Sequence, residues 1–338
     1  MTLFPTQPNI PSPTTAARPV TVPAPGVSAP LGADDAKRAR ILADAIRARF
    51  AQTLVGQDNL RESLIVTLVA GGHILIESVP GLAKTTAAQT LATCVSGSFK
   101  RVQCTPDLMP SDLVGTQVFD FASQKFTTQI GPIHANFVLL DEINRSNAKT
   151  QSAMLEAMAE GATTIGGKRI ALPKPFMVIA TQNPVETEGT YPLPEAQLDR
   201  FLMQISMGYP SKEEELTILD RFGSGNPLTD LKAVCNKKDL ASLKTAASAI
   251  FVHPLLKDYL VNLVQATRND SQILDGVSPR GSLALYRAAK AYALVKGRDY
   301  VIPEDIKTLA IPVLAHRLTT ARTFGLKTSG KEIIERLL

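Results

Sequence analysis

The 338-residue sequence predicts an α/β fold, a parallel sheet with helices on both faces, followed by a smaller all-helical domain. Two observations predict it. Short apolar runs alternate with stretches of helical periodicity, and strands buried on both faces of a parallel sheet read as such runs. After Pro210 the apolar runs end and only helical patterns follow, so we expect no strands there. The candidate strands are residues 73–76, 99–104, 137–140, 176–180 and 201–206.

The composition indicates a soluble globular chain of about two domains, with 44% hydrophobic and 20% charged residues. No apolar stretch approaches the roughly 18 residues of a membrane span, and no secretory signal pattern is visible. Cys94, Cys104 and Cys235 are too few and too scattered for a disulfide framework, so we expect buried, reduced thiols in a cytoplasmic protein. The net charge of +5 is spread thinly, which argues against nucleic acid as a partner.

Three regions are predicted along the chain. Residues 1–33 contain eight prolines and one charged residue, so they cannot bury enough apolar area to offset ordering and should form a flexible arm. Residues 34–208 should form the α/β domain, and residues 209–338 the helical domain. The helices predicted in the second domain are 211–222, 237–249, 254–268, 281–296, 303–318 and a short one after Ser329.

Two β-hairpins are expected as insertions in the α/β domain. One spans residues 117–130, within an irregular stretch that contains several prolines and turn residues. The other spans residues 163–172 and turns at Gly166-Gly167, which is a favoured two-residue turn pair.

The loop between the first strand and the next helix has the pattern of a phosphate-binding loop. A tight turn there would direct backbone N–H groups and the positive end of the helix at a polyphosphate. Lys84 would reach the β- and γ-phosphate oxygens, and the Thr85 hydroxyl would ligate Mg²⁺. The usual pattern has glycine where this loop carries Ser78 and Ala83, so an ordinary strand-to-helix turn is the alternative. The candidate nucleotide-binding residues are Ser78, Val79, Pro80, Gly81, Leu82, Ala83, Lys84, Thr85 and Thr86.

An acidic pair ends the apolar strand that begins at Phe137. Because ligands bind at the carboxyl ends of parallel strands, Asp141 is a candidate Mg²⁺ ligand and Glu142 a candidate base that polarises water. Two carboxylates there are costly unless a cation or solvent receives them. A simple acidic pair before a helix is the alternative. Together with the Lys84-Thr85 pair, however, this pair is specific to nucleotide hydrolases.

Three other polar residues are candidates for the same chemistry. Asn183 ends another buried strand and could orient water, although a turn-capping Asn before proline is common. Arg200 precedes the last strand, either as an intramolecular ion-pair partner or as an arginine finger offered to a neighbouring subunit. Arg280 lies in the first turn of a helix, where its positive charge interacts unfavourably with the helix dipole. A bound anion would offset this cost.

The order of these segments resembles that of a AAA+ ATPase, and more narrowly of the MoxR family. The resemblance covers roughly residues 40–320 and includes an insertion at 105–116 and the hairpin at 163–172. The segments that carry it are 78–85 (Walker A), 140–145 (Walker B), 180–184 (sensor 1), 192–201 (arginine-finger region) and 278–280 (sensor 2).

The resemblance implies a P-loop NTPase fold with a helical lid, and it implies roles for individual residues. Lys84 and Thr85 would contact the phosphates and the metal, with Asp141 on Mg²⁺ and Glu142 as the base. Asn183 would be sensor 1, Arg200 a finger acting in trans and Arg280 sensor 2. The segment Val55-Gly56-Gln57 resembles the lining of an adenine pocket. Ser78 and Ala83 depart from the AAA+ pattern, and Ser78 could reduce nucleotide affinity or turnover.

The resemblance also implies assembly and partners. It implies a homo-oligomeric ring, expected to be a hexamer, that hydrolyses ATP with Mg²⁺. The work of such a ring would be chaperone-like remodelling or maturation of a protein client, often with a partner that carries a von Willebrand factor A domain.

Three alternatives are open at this point. The chain could be the AAA+ motor subunit of a metal chelatase, which shares both insertions. It could be a nucleotide-dependent scaffold in which Ser78 has disabled hydrolysis. DNA remodelling is a further alternative because of the two hairpins, and the lack of a concentrated basic stripe argues against it.

Overall fold

A computed structural model describes residues 33–184, 189–223, 225, 228–323 and 326–338. The flexible arm predicted for residues 1–33 falls, apart from its last residue, outside the described part of the chain. That last residue, Ala33, begins the first helix. The proposed domain boundaries at residues 208 and 209 stay a prediction.

Helices and strands alternate through the first two hundred residues, and the rest of the chain is mainly helical. The strands are β1 (Ile74–Glu77), β2 (Phe99–Gln103), β3 (Gly115–Asp120), β4 (Lys125–Ile130), β5 (Phe137–Asp141), β6 (Ala162–Ile165), β7 (Lys168–Ala171), β8 (Met177–Gln182), β9 (Met203–Ser206), β10 (Ile273–Asp275), β11 (Thr319–Thr320), β12 (Arg322–Thr323) and β13 (Leu326–Lys327). The helices are α1 (Ala33–Thr53), α2 (Asp58–Ala70), α3 (Lys84–Cys94), α4 (Pro110–Val114), α5 (Ala148–Glu160), α6 (Glu195–Leu198), α7 (Lys212–Phe222), α8 (Lys237–Ala249), α9 (Pro254–Asn269), α10 (Pro279–Val295), α11 (Pro303–Leu314) and α12 (Gly330–Leu337).

Five of the strands form one parallel sheet in the order β2-β5-β8-β1-β9. Each of the five strands predicted from the apolar runs is present, which confirms the parallel α/β fold. The interior strand β5 is buried at every position, because helices cover both faces of the sheet. The carboxyl ends of β1, β5 and β8 therefore share one edge, with Glu77, Asp141 and Gln182 as their last residues.

Both predicted hairpins lie outside this sheet. Strands β3 and β4 pair antiparallel from Gly115 to Ile130, and β6 pairs with β7. Gly166 and Gly167 have φ of 54° and 77°, and two positive φ angles at the central positions are what a type I′ hairpin turn requires.

The second half of the chain is helical, as predicted, with one correction. The predicted helices are present as α7 to α12, and the last turns of the 303–318 prediction are a 3₁₀ turn at Ala315–Arg317. The expectation that strands end at Pro210 is wrong. The short pairs β10–β11 and β12–β13 lie beyond it, and strands of two or three residues are too short to produce a periodic pattern.

The apolar core joins the helices at the two ends of the chain. One cluster on one face of the sheet contains side chains from α1, α2 and α3 together with side chains from α8, α10 and α11. A second cluster on the opposite face contains Leu75, Leu140 and Phe201, and α5 packs there. In the described part of the chain no helix is both long and apolar enough to cross a membrane.

Leu64 in α2 tests this shared core, since its side chain is fully buried there. We expect Leu64→Ala to lower the free energy of unfolding by about 2–5 kcal/mol, because it removes buried methyl groups and leaves a cavity. The control is Ile41→Ala in α1, whose side chain is 61% exposed. The control should change stability by no more than about 0.5 kcal/mol. Urea denaturation of both variants checks the prediction, and equal losses would contradict it.

Candidate functional site

The loop after β1 makes a tight turn that leads directly into α3. Gly81 has φ of 87°, and Ala83, the residue before the helix, has φ of 55°. Ala83 has no side-chain oxygen with which to cap the helix, so the first N–H groups of α3 have no side-chain partner from that position. The Ser78 N–H donates to the carbonyl of Gln182, 3.1 Å away, which ties the loop to β8. This turn has the form of an anion-binding helix start.

Lys84 lies within this loop and in the field of the two acids. Its Nζ lies 3.2 Å from the carbonyl oxygen of Val79 and 3.5 Å from that of Ser78. Burial lowers the pKa of Lys84, and the carboxylates of Asp141 and Glu142 act in the opposite direction. Lys84 therefore lies close enough to Asp141 and Glu142 to interact with both electrostatically.

Asp141 is the last residue of β5 and is only 5% exposed. Its Oδ2 accepts a hydrogen bond from Arg101 Nε at 2.6 Å, and its Oδ1 accepts one from Thr181 Oγ1 at 3.2 Å. A buried carboxylate needs such donors, because transfer from water costs several kcal/mol when it is unpaired.

Glu142 is held in an uncommon backbone conformation, with φ of 55°. Its N–H donates to Thr181 Oγ1 at 2.9 Å, so one threonine hydroxyl contacts both acidic residues. Gln103 Nε2 and Arg145 Nε lie 3.1 Å and 2.9 Å from Glu142 Oε2. Left-handed backbone at a non-glycine residue costs about 1–3 kcal/mol and occurs mainly at functional sites. Lys84, Asp141, Glu142 and Thr181 together form what we call the strand-end cluster.

Asn183 follows β8 at the same edge of the sheet and is 7% exposed. Its neighbour Gln182 donates from Nε2 to Glu77 Oε1 at 2.6 Å, and Ser206 donates to Glu77 Oε2 at 3.1 Å. The ends of β1, β8 and β9 are thus linked through one carboxylate, next to the predicted sensor 1.

Arg280 forms its ion pair away from the strand-end cluster. Its Nη1 is 3.8 Å from Asp199 Oδ2, and Ser278 Oγ donates to the same oxygen at 3.2 Å. Arg317 Nε donates to Asp199 Oδ1 at 2.8 Å. These four residues, which we call the Asp199 cluster, lie beside the half-buried Arg200. The fold therefore brings the predicted finger and the predicted sensor 2 to one place.

A cavity of about 940 Å³ is lined by sequence neighbours of both clusters, although no member of either cluster is among its lining residues. Glu77 and Asn183 line one part of it, and Leu198, Pro312 and His316 line another. The strand ends and the second half of the chain therefore face a common space.

The segment predicted to line an adenine pocket is sharply turned. Gly56 and Gln57 both have left-handed backbone, and Gln57 Nε2 donates to the carbonyl of Gly208 at 3.1 Å. A Cβ on Gly56 would lie 2.2 Å from Glu214 Oε1, so a larger residue would displace that side chain. The segment therefore lies next to the chain that leaves β9.

Three residues that contact the predicted site residues or their neighbours were not predicted from the sequence: Arg101, Thr181 and Arg317. Thr181 stands inside the segment that was identified as sensor 1, two residues before Asn183, and that position was a usable signal. Arg101 lies on β2, where Gln103 pairs in register with Asp141, and that register is not visible in the sequence. Arg317 contacts residues that are more than one hundred positions away.

The donor set fits a magnesium–nucleotide complex. A carboxylate from Asp141 and a hydroxyl from Thr85 are hard oxygen ligands, and Mg²⁺ is usually held by one or two carboxylates together with substrate phosphates. The described residues contain no group of three or more His, Cys, Asp or Glu side chains that could hold a metal ion. Arg101 and Thr181 each donate to one oxygen of Asp141, so a metal held by Asp141 would share this carboxylate with both donors.

The sheet order, the loop after β1 and the acidic end of β5 define a P-loop ATPase of the AAA class. Comparison with protein families agrees: residues 73–203 match the "ATPase family associated with various cellular activities (AAA)", and residues 265–337 match an "AAA lid domain". A crystal structure of a candidate ATPase from Cytophaga hutchinsonii superposes with a TM-score of 0.83 at 40% identity, covering 90% of this chain and 95% of that one.

Sequence comparison narrows the class. The chain is 48% identical over 295 residues to the protein named Chaperone MoxR1 of Mycobacterium tuberculosis, covering 84% of this chain and 78% of that protein. It is 33% identical over 190 residues to a magnesium-chelatase subunit ChlI of Nicotiana tabacum, covering 53% of this chain and 42% of that protein. The chain belongs to the MoxR family of AAA+ ATPases.

Ala83 provides a test of the loop geometry. We expect Ala83→Gly to raise the free energy of unfolding by about 1 kcal/mol, because glycine adopts left-handed backbone without the steric cost of a Cβ. The control is Ala241→Gly at an exposed position of α8, which should lower stability by about 1 kcal/mol through lost helix propensity. Urea denaturation without nucleotide measures both. A loss of stability in Ala83→Gly would show that the loop does not turn as described.

Proposed function

We propose that this protein is a Mg²⁺-dependent ATPase that works as a homo-oligomeric ring, with a hexamer as the expected size. The observation that supports hydrolysis most directly is the strand-end cluster. There the amine of Lys84 lies in the field of two acids that Thr181 contacts together. Because the chain belongs to the AAA ATPases, the proposal includes nucleotide binding as a property of that family.

The proposed chemistry assigns one task to each side chain. The loop N–H groups and Lys84 would bind the phosphates, and Thr85 and Asp141 would hold Mg²⁺, which would supply positive charge to the phosphate oxygens. Glu142 orients and polarises the attacking water. Gln103 and Arg145 contact the Oε2 of Glu142, so its carboxylate is oriented before substrate binds. Asn183 acts as sensor 1 beside the γ-phosphate.

Arg200 is the residue on which the proposed ring depends, because it would act between subunits. This half-buried residue follows Asp199, whose carboxylate pairs with Arg280, and we propose that it reaches the nucleotide of a neighbouring subunit as an arginine finger. A finger from a neighbour stabilises transition-state charge and couples turnover to assembly. Turnover per subunit should therefore rise with protein concentration.

The work that hydrolysis drives is proposed to be chaperone-like remodelling or maturation of a protein client in the cytoplasm. The relative named a chaperone supports this reading. A partner with a von Willebrand factor A domain completes the proposal, as the family resemblance implies.

Two alternatives are less well supported. The motor subunit of a metal chelatase is disfavoured, because the similarity to the chelatase subunit covers only 53% of the chain and that to MoxR1 covers 84%. A non-hydrolysing scaffold would require Ser78 to disable the loop. Ser78 is not among the residues with positive φ, so its side chain imposes no left-handed strain there.

Glu142→Gln tests the proposed hydrolysis. We expect kcat to fall by about 10²–10⁴-fold with ATP affinity nearly unchanged, because the amide keeps the shape of the side chain but cannot act as a base. The matched control is Glu160→Gln at an exposed carboxylate, which should keep wild-type kcat.

Phosphate release and calorimetry with ATP and Mg²⁺ are the two measurements. Normal turnover by Glu142→Gln would overturn the assignment of the base. ATP binding by the wild-type protein without phosphate release at any protein concentration would favour the scaffold.

A further inference from the structure

Arg317, which stands in the 3₁₀ turn after α11, buries its guanidinium against the chain on both sides of Arg200. The side chain is 2% exposed. Its Nε donates to Asp199 Oδ1 at 2.8 Å, and its Nη2 donates to the carbonyls of Asp199, at 3.3 Å, and Phe201. Its Nη1 reaches the carbonyl of Leu202 at 3.4 Å. One guanidinium thus contacts the residue before Arg200 and the two residues after it.

Within its own turn Arg317 is held as well. Its Nη1 donates to the carbonyl of Val313 and lies 2.8 Å from His316 Nε2. Burial lowers the pKa of Arg317, and the carboxylate of Asp199 acts in the opposite direction. Each of the three guanidinium nitrogens of Arg317 has a hydrogen-bond partner, and this is the condition under which a buried arginine is tolerated.

The backbone segment that Arg317 contacts, residues 199–202, is also held by other contacts. Phe201 is fully buried in the core cluster on the α5 face of the sheet, and the Leu202 N–H donates to the carbonyl of His73 at 2.8 Å. Asp199 also accepts a hydrogen bond from Ser278. Arg200, which is half-buried, therefore stands on a backbone that is held from both sides.

We propose that Arg317 is the positioning residue for Arg200: it holds residues 199, 201 and 202 so that Arg200 is presented to the neighbouring subunit in one orientation. The inference rests on the proposed function, because it assumes a finger that acts in trans. The inference also states which part of one subunit influences the nucleotide site of its neighbour. Arg317 belongs to the second half of the chain, so a shift of α11 moves the finger that serves another subunit's nucleotide.

Arg317→Lys is the informative variant, because lysine keeps the charge but presents a single donor point in place of the planar fork. We expect kcat to fall at least about 10-fold toward the value of Arg200→Ala, since a displaced finger stabilises the transition state poorly. ATP affinity measured by calorimetry should stay within about 2-fold, because the phosphate-binding residues are intact.

The matched control is Arg298→Lys. Arg298 makes a two-pronged contact with the buried carboxylate of Asp305, at 2.8 Å and 2.6 Å, although its own side chain is 22% exposed. It contacts no residue of the Asp199 cluster among the described residues. Arg298→Lys should also break a two-pronged arginine–carboxylate contact and lower thermal stability, by less than Arg317→Lys because Arg298 is more exposed, with kcat within about 2-fold of the wild type. Equal kcat losses in the two variants would overturn the inference, since they would indicate general destabilisation.

A mixing experiment separates positioning in trans from damage to the subunit itself. Arg317→Lys subunits retain their own Lys84 and Glu142, and Glu142→Gln subunits retain a well-held Arg200. In rings formed from a 1:1 mixture, about a quarter of the sites pair an intact base with an intact finger, because the interface is head to tail. Turnover should reappear in the mixture although each variant alone is nearly inactive. Absence of recovery would overturn the inference.

The outcomes also separate this inference from the proposed function. No turnover by wild-type protein would remove the proposed ATPase itself. Turnover by Arg200→Ala at the wild-type rate would contradict the assignment of Arg200 as an arginine finger. Loss of turnover in Arg200→Ala with normal kcat in Arg317→Lys would leave the ATPase in place and overturn only the role of Arg317.

Discussion

The buried carboxylate of Asp141 is the constraint on which the rest of the site depends. It ends a strand that is buried at every position, so its charge cannot be solvated by bulk water. Arg101 and Thr181 supply donors, and the amine of Lys84 adds positive charge nearby. A site that concentrates charge in this way needs rigid neighbouring strands. The parallel sheet, with its strand ends on one edge, provides them.

A second constraint acts between the two halves of the chain. The apolar cluster that joins α1 and α2 to α8 and α10 makes the first helices part of the same core as the last ones. Hydrophobic contacts of this kind hold elements together but do not fix the direction of a side chain. The polar contacts around Asp199 are directional, and they connect the second half of the chain to the segment just before β9. Stability and geometry thus come from different interactions.

The main sheet and most helices could be predicted from the sequence because they depend on local patterns. Runs such as Phe137–Leu140 are apolar since both faces of β5 are covered, and helix starts such as Ser329 with Glu332 carry a capping box. The strand pairs β10–β11 and β12–β13 were missed, because their strands have two or three residues and depend on tertiary contacts. Arg101 and Arg317 could not be found in the same way. Their roles depend on strand register and on contacts across more than one hundred residues.

The two departures from the glycine pattern of the loop have different physical meanings. Ala83 occupies left-handed backbone, so a Cβ there carries a steric cost of about 1–2 kcal/mol. Ser78 lies outside that region of backbone space, and its side chain is buried with a hydroxyl that has no hydrogen-bond partner among the described residues. An unsatisfied buried hydroxyl costs about 1–3 kcal/mol. Neither cost removes the amine, the acids or the backbone N–H groups of α3. The substitutions therefore affect the stability of the empty loop more directly than the chemistry at its edge.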